Sequence, residues 1–256
     1  MLPFFWMLST ALKEPIEVYS LPIRWIPKNP QWGNFYKAMT IMPFGRYFLN
    51  SIIITSLCIL GTLISCSLAA FSFAKLRFRG KDLLFLLVLS TMMLPAHVTM
   101  IPKYVLFKYL KWLDTFKPLI VPSFFGVGAF NIFLLRQFFL GIPEELADAA
   151  RIDGCSSFKI YWNLTLPLAK PTLIAVTIFD FMGTWNDFMS PLIYINSEKR
   201  WTVSLALAAF RGGEGAEGIF NLMMAATIIV ILPCIIVFFF FQRYFIQGVV
   251  VTGLKG

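Results

Sequence analysis

The chain has 256 residues, 58% of them hydrophobic and 14% charged, and its mean hydropathy is +0.75. A water-soluble domain needs far more polar surface to cover its core, so this composition excludes one and points to an integral membrane protein. The net charge of +9 does not indicate nucleic acid, because the basic residues are scattered between apolar stretches; the one dense cluster, Lys75, Arg77, Arg79 and Lys81, suits the cytoplasmic end of a membrane helix.

Taken in chain order, Met1 to Leu12 is apolar but too short to cross ~30 Å of hydrocarbon at ~1.5 Å per residue. It has neither a basic leader nor a small-residue cleavage site, so it does not read as a signal peptide. The expectation is the end of a first membrane helix, with about ten or more apolar residues preceding Met1. Residues 13–46 are polar and rich in Pro and Trp, and are expected to be external. Residues 1–46 thus form a truncated first span and external segment, 47–243 a transmembrane domain, and 244–256 a cytoplasmic tail.

Within that domain, segments 47–74, 83–107, 118–140, 172–195 and 219–242 are long and apolar enough to cross a bilayer. Gly61, Ser65 and Ala69 make a small-xxx-small ladder that suits close helix packing. Pro95 and Pro233 are expected to kink their spans. His97, beside Pro95, suits a hydrogen-bonded packing role, with a pathway role as the alternative. Cys58, Cys66, Cys155 and Cys234 show no external pairing and no metal-ligand spacing with His97, so neither a disulfide framework nor a metal is expected.

Residues 141–171 form a charged, amphipathic loop. Pro143, Glu144 and Glu145 suit a first helical turn, where a missing N–H costs little and negative charge is favoured. Leu146, Ala149 and Ala150 fall at i, i+3 and i+4 and make a small apolar face beside Asp148 and Arg151. Gly154 is predicted to end that helix in the left-handed conformation. Ser156 or Ser157 then caps a second short helix bearing Phe158, Tyr161 and Trp162. Two short helices joined at a glycine outside the membrane suit docking; a helix lying flat on the membrane surface is the alternative.

In the span 172–195, Thr177, Asp180, Thr184 and Asp187 recur at i, i+3, i+7 and i+10 and share one face of a helix. A central Asp costs roughly 2.5–3.5 kcal/mol on insertion scales, so neither carboxylate should face lipid. Two roles stay open, a polar wall of a transport pathway, with Asn131 as a weaker candidate, and hydrogen bonding to neighbouring helices. The stretch from Arg211 to Gly218 is rich in glycine but lacks the Gly-Lys-Ser/Thr ending of a phosphate-binding loop and has no strand before it. It is expected to be a flexible external loop, and nothing else in the chain suggests a nucleotide site.

Several of these stretches carry a family resemblance. Asp148-Ala149-Ala150, then Gly154, then Leu164-Thr165-Leu166-Pro167 resembles the cytoplasmic loop of the membrane subunits of binding-protein-dependent ABC importers. That pattern is E-A-A, three residues, G, nine residues, I-x-L-P, and both spacings are intact. Asp148 replaces Glu, one methylene shorter, and Leu164 replaces Ile. Pro3 to Lys13 resembles the Pro-x-x-Trp-Met-Leu-x-x-Ser-Leu-Lys run ending the first helix of carbohydrate-importer subunits. Trp185-Asn186-Asp187-Phe188 resembles their Trp-Asn-(Asp/Glu)-Phe element, and Thr252 to Gly256 resembles their Gly-x-x-Lys-Gly tail.

The resemblance implies an all-α, polytopic bundle of the six-span importer type, its first span truncated here, that translocates a carbohydrate, such as an oligosaccharide or sugar derivative. It implies no catalytic residue and no cofactor on this chain, with ATP and Mg on a partner ATPase. The partners implied are a second related permease subunit, two cytoplasmic ATPases, an extracellular or periplasmic solute-binding protein, the carbohydrate and membrane lipid. The coupling loop would comprise Glu145, Asp148, Ala149, Ala150, Arg151, Asp153, Gly154, Leu164, Leu166 and Pro167. Gly154 would set the elbow angle, the alanines would allow close backbone approach, and Asp148, Arg151 and Asp153 would supply polar contacts. Asp180, Thr184, Trp185, Asn186, Asp187 and Asn131 become candidates for the substrate pathway.

Orientation is set by the density of charge at residues 75–81 together with the loop motif, which put 141–171 and the C-terminus in the cytoplasm. Lys103, Lys108, Lys111 and Lys117 crowd the opposite side, so counting alone is close to a tie. A membrane enzyme is a poor alternative: Asp153-Gly154 resembles the opening of the phosphatidyltransferase motif, but Cys155-Ser156-Ser157-Phe158 supplies neither its Ala-Arg pair nor its further glycine and aspartates. A secondary transporter or channel without an ATPase would leave the docking loop unexplained, and no internal repeat is apparent.

Overall fold

Helices form wherever the sequence is continuously apolar, because within a bilayer the backbone must satisfy its own N–H and C=O groups. The computed structural model describes residues 2–210 and 219–253, and no strand occurs among them. The glycine-rich stretch 211–218 and the last tail residues, 254–256, lie outside the described residues. Helix α1 covers Leu2–Ala11, α2 Gly33–Ile41 and α3 Phe44–Lys75. They are followed by α4 (Lys81–Ser90), α5 (Ala96–Tyr109) and α6 (Ala129–Leu140). The loop helices are α7 (Glu144–Ile152) and α8 (Ser157–Leu168). Then come α9 (Lys170–Trp185), α10 (Met189–Tyr194), α11 (Val203–Ala209) and α12 (Phe220–Gly253).

Among the described residues, Phe44–Lys75, Lys117–Leu140 and Phe220–Gln242 are each long and apolar enough to cross a membrane, and the total reaches five if each of two bent pairs, Lys81–Met93 with His97–Tyr109 and Ser157–Leu168 with Lys170–Trp185, is one span. Four of them fall on the expected segments 47–74, 83–107, 118–140 and 219–242, whereas the pair over 157–185 starts within the charged loop and only its second helix overlaps 172–195. The expected kink at Pro95 is a break: Lys81–Met93 and His97–Tyr109 meet at 102°. Leu94 is extended there, as the residue before a proline tends to be. His97 is exposed just beyond it. At Pro233 the helix continues without a break. Lys117–Leu140 narrows to a 3-10 turn at Val121–Phe125, ended by Gly126 with φ at 67°. The span expected over 172–195 stops at Trp185, and α10 begins only at Met189.

The chain divides into two compact units, one joining residues 54–184 with 238–256 and the other joining 1–53 with 185–237. In the first, the small-residue face of α3 lies against the bend before α6. Ser65 Oγ donates to the Ser123 carbonyl at 2.7 Å, and the Cys58 thiol to the Leu119 carbonyl at 3.2 Å. Gly61 accommodates the Phe124 ring. Cys66, Ala70, Phe71, Leu135, Phe139 and Val176 form the core of this unit. In lipid such packing rests on dispersion between closely approaching surfaces rather than on release of water.

The second unit is held by buried polar groups. Lys13 is buried; its Nζ donates to the Arg24 carbonyl at 2.6 Å and lies 4.3 Å from the Trp6 ring centroid. Asn34 Nδ2 donates to the carbonyls of Ala11 and Lys13, and Asn221 Nδ2 also donates to that of Lys13. Tyr47 Oη donates to Glu198 at 2.7 Å, Asn50 Nδ2 donates to the carbonyls of Lys199 and Trp201, and the Val203 amide donates to Ser51 Oγ. These bonds fasten the segment before α11 to the start of α3.

A β-carbon added at Gly61 would stand 2.7 Å from the Phe124 ring, whereas one at Gly183 would meet nothing within 4 Å. Gly61→Ala is therefore expected to cost about 1–3 kcal/mol of stability, and Gly183→Ala to be neutral or slightly stabilising. Thermal unfolding midpoints of the detergent-purified protein test this; equal midpoints would remove the Phe124 contact from the account.

Candidate functional site

The loop between α6 and α9 folds as two helices meeting at Gly154. Helix α7 starts after Pro143, with Glu144 and Glu145 in its first turn, where the exposed N–H groups favour negative charge. Asp153 is its C-cap and Gly154 takes φ of 79°. The Cys155 amide donates to the Ala150 carbonyl at 2.9 Å and the Gly154 amide to the Arg151 carbonyl at 3.0 Å. That is the bond pair of a Schellman stop, and Ala150 and Cys155 both pack against the core of this unit. Ser156 Oγ accepts from the Lys159 amide and caps α8. Further along, Tyr161–Thr165 widens into a π turn. Pro167 supplies the cause: it has no N–H, and in a regular helix its ring would press on the Asn163 carbonyl.

Two anchors fix this elbow to α3. Lys75 Nζ, buried, donates to the Ile142 carbonyl at 2.7 Å and pairs with Glu144 at 3.6 Å. Tyr161 stacks edge-on against Phe71 at 5.3 Å and shares a 2.8 Å hydrogen bond with Ser67 Oγ. The Ser67 hydroxyl is already directed at the Leu63 carbonyl, so the tyrosine hydroxyl is the donor. Arg136 braces the same end, with Nε donating to the Phe73 carbonyl and the guanidinium 4.1 Å from the Phe85 ring centroid. The sequence marked Lys75 as part of a basic cluster and gave no signal of its anchoring role.

The apolar face expected from Leu146, Ala149 and Ala150 is not the face that packs inward. Ala147 is buried and Ala150 half-buried, whereas Leu146 and Ala149 point outward with Ile152, which is 87% exposed. Helical periodicity identifies an apolar stripe but not what covers it. On α8, Phe158 and Trp162 stack on each other with planes 17° apart, and both are exposed. Asp148 pairs with Arg151 at 2.5 Å, and Arg151 also reaches Glu144 at 3.6 Å. Glu145, Asp153 and Pro167 are exposed, while Leu164 and Leu166 pack on the core. The result is an elbow anchored to α3, with apolar side chains facing out on both arms.

The polar stripe does not persist as one helical face. Thr177, Asp180 and Thr184 lie on α9, but Asp187 lies past the helix end and turns to another task. Its Oδ1 accepts from the Ser190 amide at 3.1 Å, and its carbonyl accepts from Ser204 Oγ at 2.6 Å. Trp185 is buried; its indole N–H donates to the Val230 carbonyl at 3.1 Å, and its ring packs on Phe48. Asn186 is hydrogen-bonded to Cys234. In the other unit, Asp180 is bonded to Thr62, with its Oδ2 buried and without a hydrogen-bond partner. Asn131 is buried beside Gly128. The pathway candidates thus fall into two groups, Asn131, Asp180 and Thr184 in one unit and Trp185, Asn186 and Asp187 in the other.

Beside the second group lies a cavity of about 470 Å³, whose walls include Phe188, Ser204, Phe220, Met224 and Thr227. Sequence inspection missed it, although Phe188 closes the Trp-Asn-Asp-Phe element. Its lining comes from α11, α12 and the break between α9 and α10, which only the fold brings together.

Residues 61–251 match the family described as binding-protein-dependent transport system inner membrane component. The arabinooligosaccharides transport system permease protein of Bacillus subtilis (strain 168) is 33% identical over 99% of this chain and 90% of its own. The sn-glycerol-3-phosphate transport system permease protein of Yersinia enterocolitica is 29% identical over 97% of this chain and 90% of its own. Among solved structures, a bacterial ABC transporter involved in import of the acidic polysaccharide alginate has a similar fold. Its TM-score is 0.83, with 24% identity over 95% of this chain and 90% of that one.

The Asp187–Ser190 bond can be tested separately from transport. Asp187→Asn keeps an acceptor for the Ser190 amide, whereas Asp187→Ala removes it, a loss of about 1 kcal/mol for a capping bond. The alanine variant is expected to unfold about 2–4 °C below the asparagine variant. Identical midpoints for the two would mean that this bond does not hold the break in place.

Proposed function

The chain belongs to the family of binding-protein-dependent transport system inner membrane components, and from that premise we propose how its helices serve import. It is a membrane-embedded permease subunit of an ABC importer rather than an enzyme. The proposed cargo is a carbohydrate or sugar derivative, supported by the arabinooligosaccharides and sn-glycerol-3-phosphate systems of its relatives. The proposed assembly adds a second related permease subunit, two ATPases that carry ATP and Mg, and a solute-binding protein outside. A six-span count belongs to the same proposal, with α1 as part of a further span.

The observation that carries the coupling role is the Gly154 elbow. It is rigid, anchored at Lys75 and Tyr161, and displays Leu146, Ile152, Phe158 and Trp162 on its exposed surface. An ATPase groove receiving both arms would transmit its closing through α3 and α8 into the bundle. Lys75 bonds to the loop itself, so the basic cluster and the elbow share one side, which supports a cytoplasmic loop. In the substrate pathway, Phe188 offers a ring face to the C–H side of a sugar, and the hydroxyls of Ser204 and Thr227 can accept sugar hydroxyl hydrogen bonds. Asn186 and Asp187 in one unit, with Trp185 packing beside them, and separately Asp180, Thr184 and Asn131 in the other are proposed as polar groups that meet the substrate.

Gly154 gives the test. A residue with a Cβ in the left-handed conformation costs roughly 1–2 kcal/mol, and nothing in this chain lies within 4 Å of that Cβ. Gly154→Asp should therefore insert and co-purify with its partners, yet lose uptake and the stimulation of ATP hydrolysis by the loaded binding protein. Gly154→Ala should retain a substantial part of both. Uptake and ATP turnover in reconstituted vesicles measure this, and wild-type uptake by an assembled Gly154→Asp complex would falsify the coupling role.

A further inference from the structure

Residues 13–46 are held to the end of α1 with an unusual number of buried polar contacts. Ser9 Oγ donates to the Trp25 carbonyl at 2.5 Å, the Gln31 amide donates to the Leu12 carbonyl at 2.8 Å, and Lys13 and Asn34 add the bonds already described. The fold of this segment is therefore fixed, yet much of its apolar surface points away from the core. Ile26 is 73%, Trp32 69% and Tyr36 75% exposed.

Its charges are sorted as well. The segment carries Glu14 and Glu17, and both carboxylates are occupied within it. Glu17 accepts from the Lys28 amide and pairs with Arg24 at 3.9 Å, and Glu14 accepts from Gln31. The side chains of Lys28, Lys37 and Arg46 are exposed and take part in none of the ion pairs among the described residues. With both acids engaged by partners inside the segment, the exposed Lys28, Lys37 and Arg46 leave a positive surface interleaved with Trp and Tyr.

We propose that residues 13–46 form a platform that lies in the membrane interface and binds the headgroups of anionic phospholipids. Amphipathic rings concentrate at headgroup depth, where their apolar body and polar edge are both satisfied. The segment leaves the end of α1 and leads into α3, so it sits where apolar helix gives way to water. Lysine is depleted at the core of protein–protein interfaces, which sets Lys28 and Lys37, spaced among the rings, against a protein partner on this surface. The cations supply attraction to phosphate and the fixed backbone removes the entropy of ordering the loop on the membrane. The proposal rests on the membrane placement of the chain and is independent of the cargo and of the coupling role.

The whole transporter, reconstituted in nanodiscs of phosphatidylcholine with phosphatidylglycerol, gives the test. Subtracting the emission of a Trp32→Phe variant isolates the Trp32 fluorescence. That component is expected to be quenched by phosphatidylglycerol brominated near the headgroup and much less by lipid brominated at the chain end. Combining Lys28→Gln, Lys37→Gln and Arg46→Gln should lower the ratio of phosphatidylglycerol to phosphatidylcholine retained on detergent extraction, by about five-fold per charge removed. Trp32 emission insensitive to both lipids, in a complex that still imports, overturns the proposal. So does a wild-type lipid ratio in the triple variant, or shielding of Trp32 that appears only when the solute-binding protein is added.

Discussion

A backbone amide or carbonyl freed inside a bilayer has no water to turn to, and each one left unpaired costs several kcal/mol. The same accounting of backbone groups, strictest within the spans, applies at three departures from a helix. Before α6, the backbone leaves the helix at Val121–Phe125, and there Ser65 and Cys58 of α3 supply hydrogen bonds to freed carbonyls. After α9, the carboxylate of Asp187 takes the Ser190 amide while Ser204 donates to the carbonyl of the same residue. At the elbow, the Schellman bonds close the carbonyls of Ala150 and Arg151. Serine, asparagine and cysteine side chains that look scattered in the sequence are thus located by the breaks they satisfy.

The breaks coincide with the positions given functional meaning, and the same physics explains it. A continuous helix exposes only side chains, whereas a broken one brings backbone groups, cavity and cap into one place. The gap between α9 and α10 is an instance: Asp187 and Phe188 lie there, and Phe188 and Ser204 share a cavity wall. Asp187 was legible as a carboxylate that must avoid lipid. Its departure from the helix was not, because periodicity extends a helix through any apolar run, and only the Ser190 and Ser204 partners end it.

Other features were legible for definite reasons. The spans could be placed because a bilayer demands long apolar runs, a requirement local in sequence. Gly154 could be assigned as a helix stop because its left-handed φ is a property of one residue and its neighbours. The buried polar lattice of Lys13, Asn34 and Asn221 was not legible, because residue 221 meets residue 13 only through the fold. Which side of α7 the chain itself covers was not legible for a related reason. Leu146, Ala149 and Ala150 do form a stripe, but Ala147 and Ala150 are the side that α3 and its neighbours cover. A stripe facing away from the chain's own core is what a loop needs if another protein is to cover it.

Rigidity at the elbow then matters more than the strength of any single contact. The ion pairs of Arg151 with Asp148 and Glu144 are solvent-exposed, and such pairs contribute at most about 1 kcal/mol each. They orient side chains but cannot carry force. The buried anchors differ, since Lys75 of α3 holds the Ile142 carbonyl just before α7, and Tyr161 of α8 holds the Ser67 hydroxyl of α3. Displacing either arm would leave a buried polar group without its partner, at a cost of about 1–3 kcal/mol. In the proposed coupling role, a push on the exposed apolar face would pass to α3, whose other contacts reach the bend before α6. Mechanical continuity from the loop into the spans is set by where these hydrogen bonds are buried.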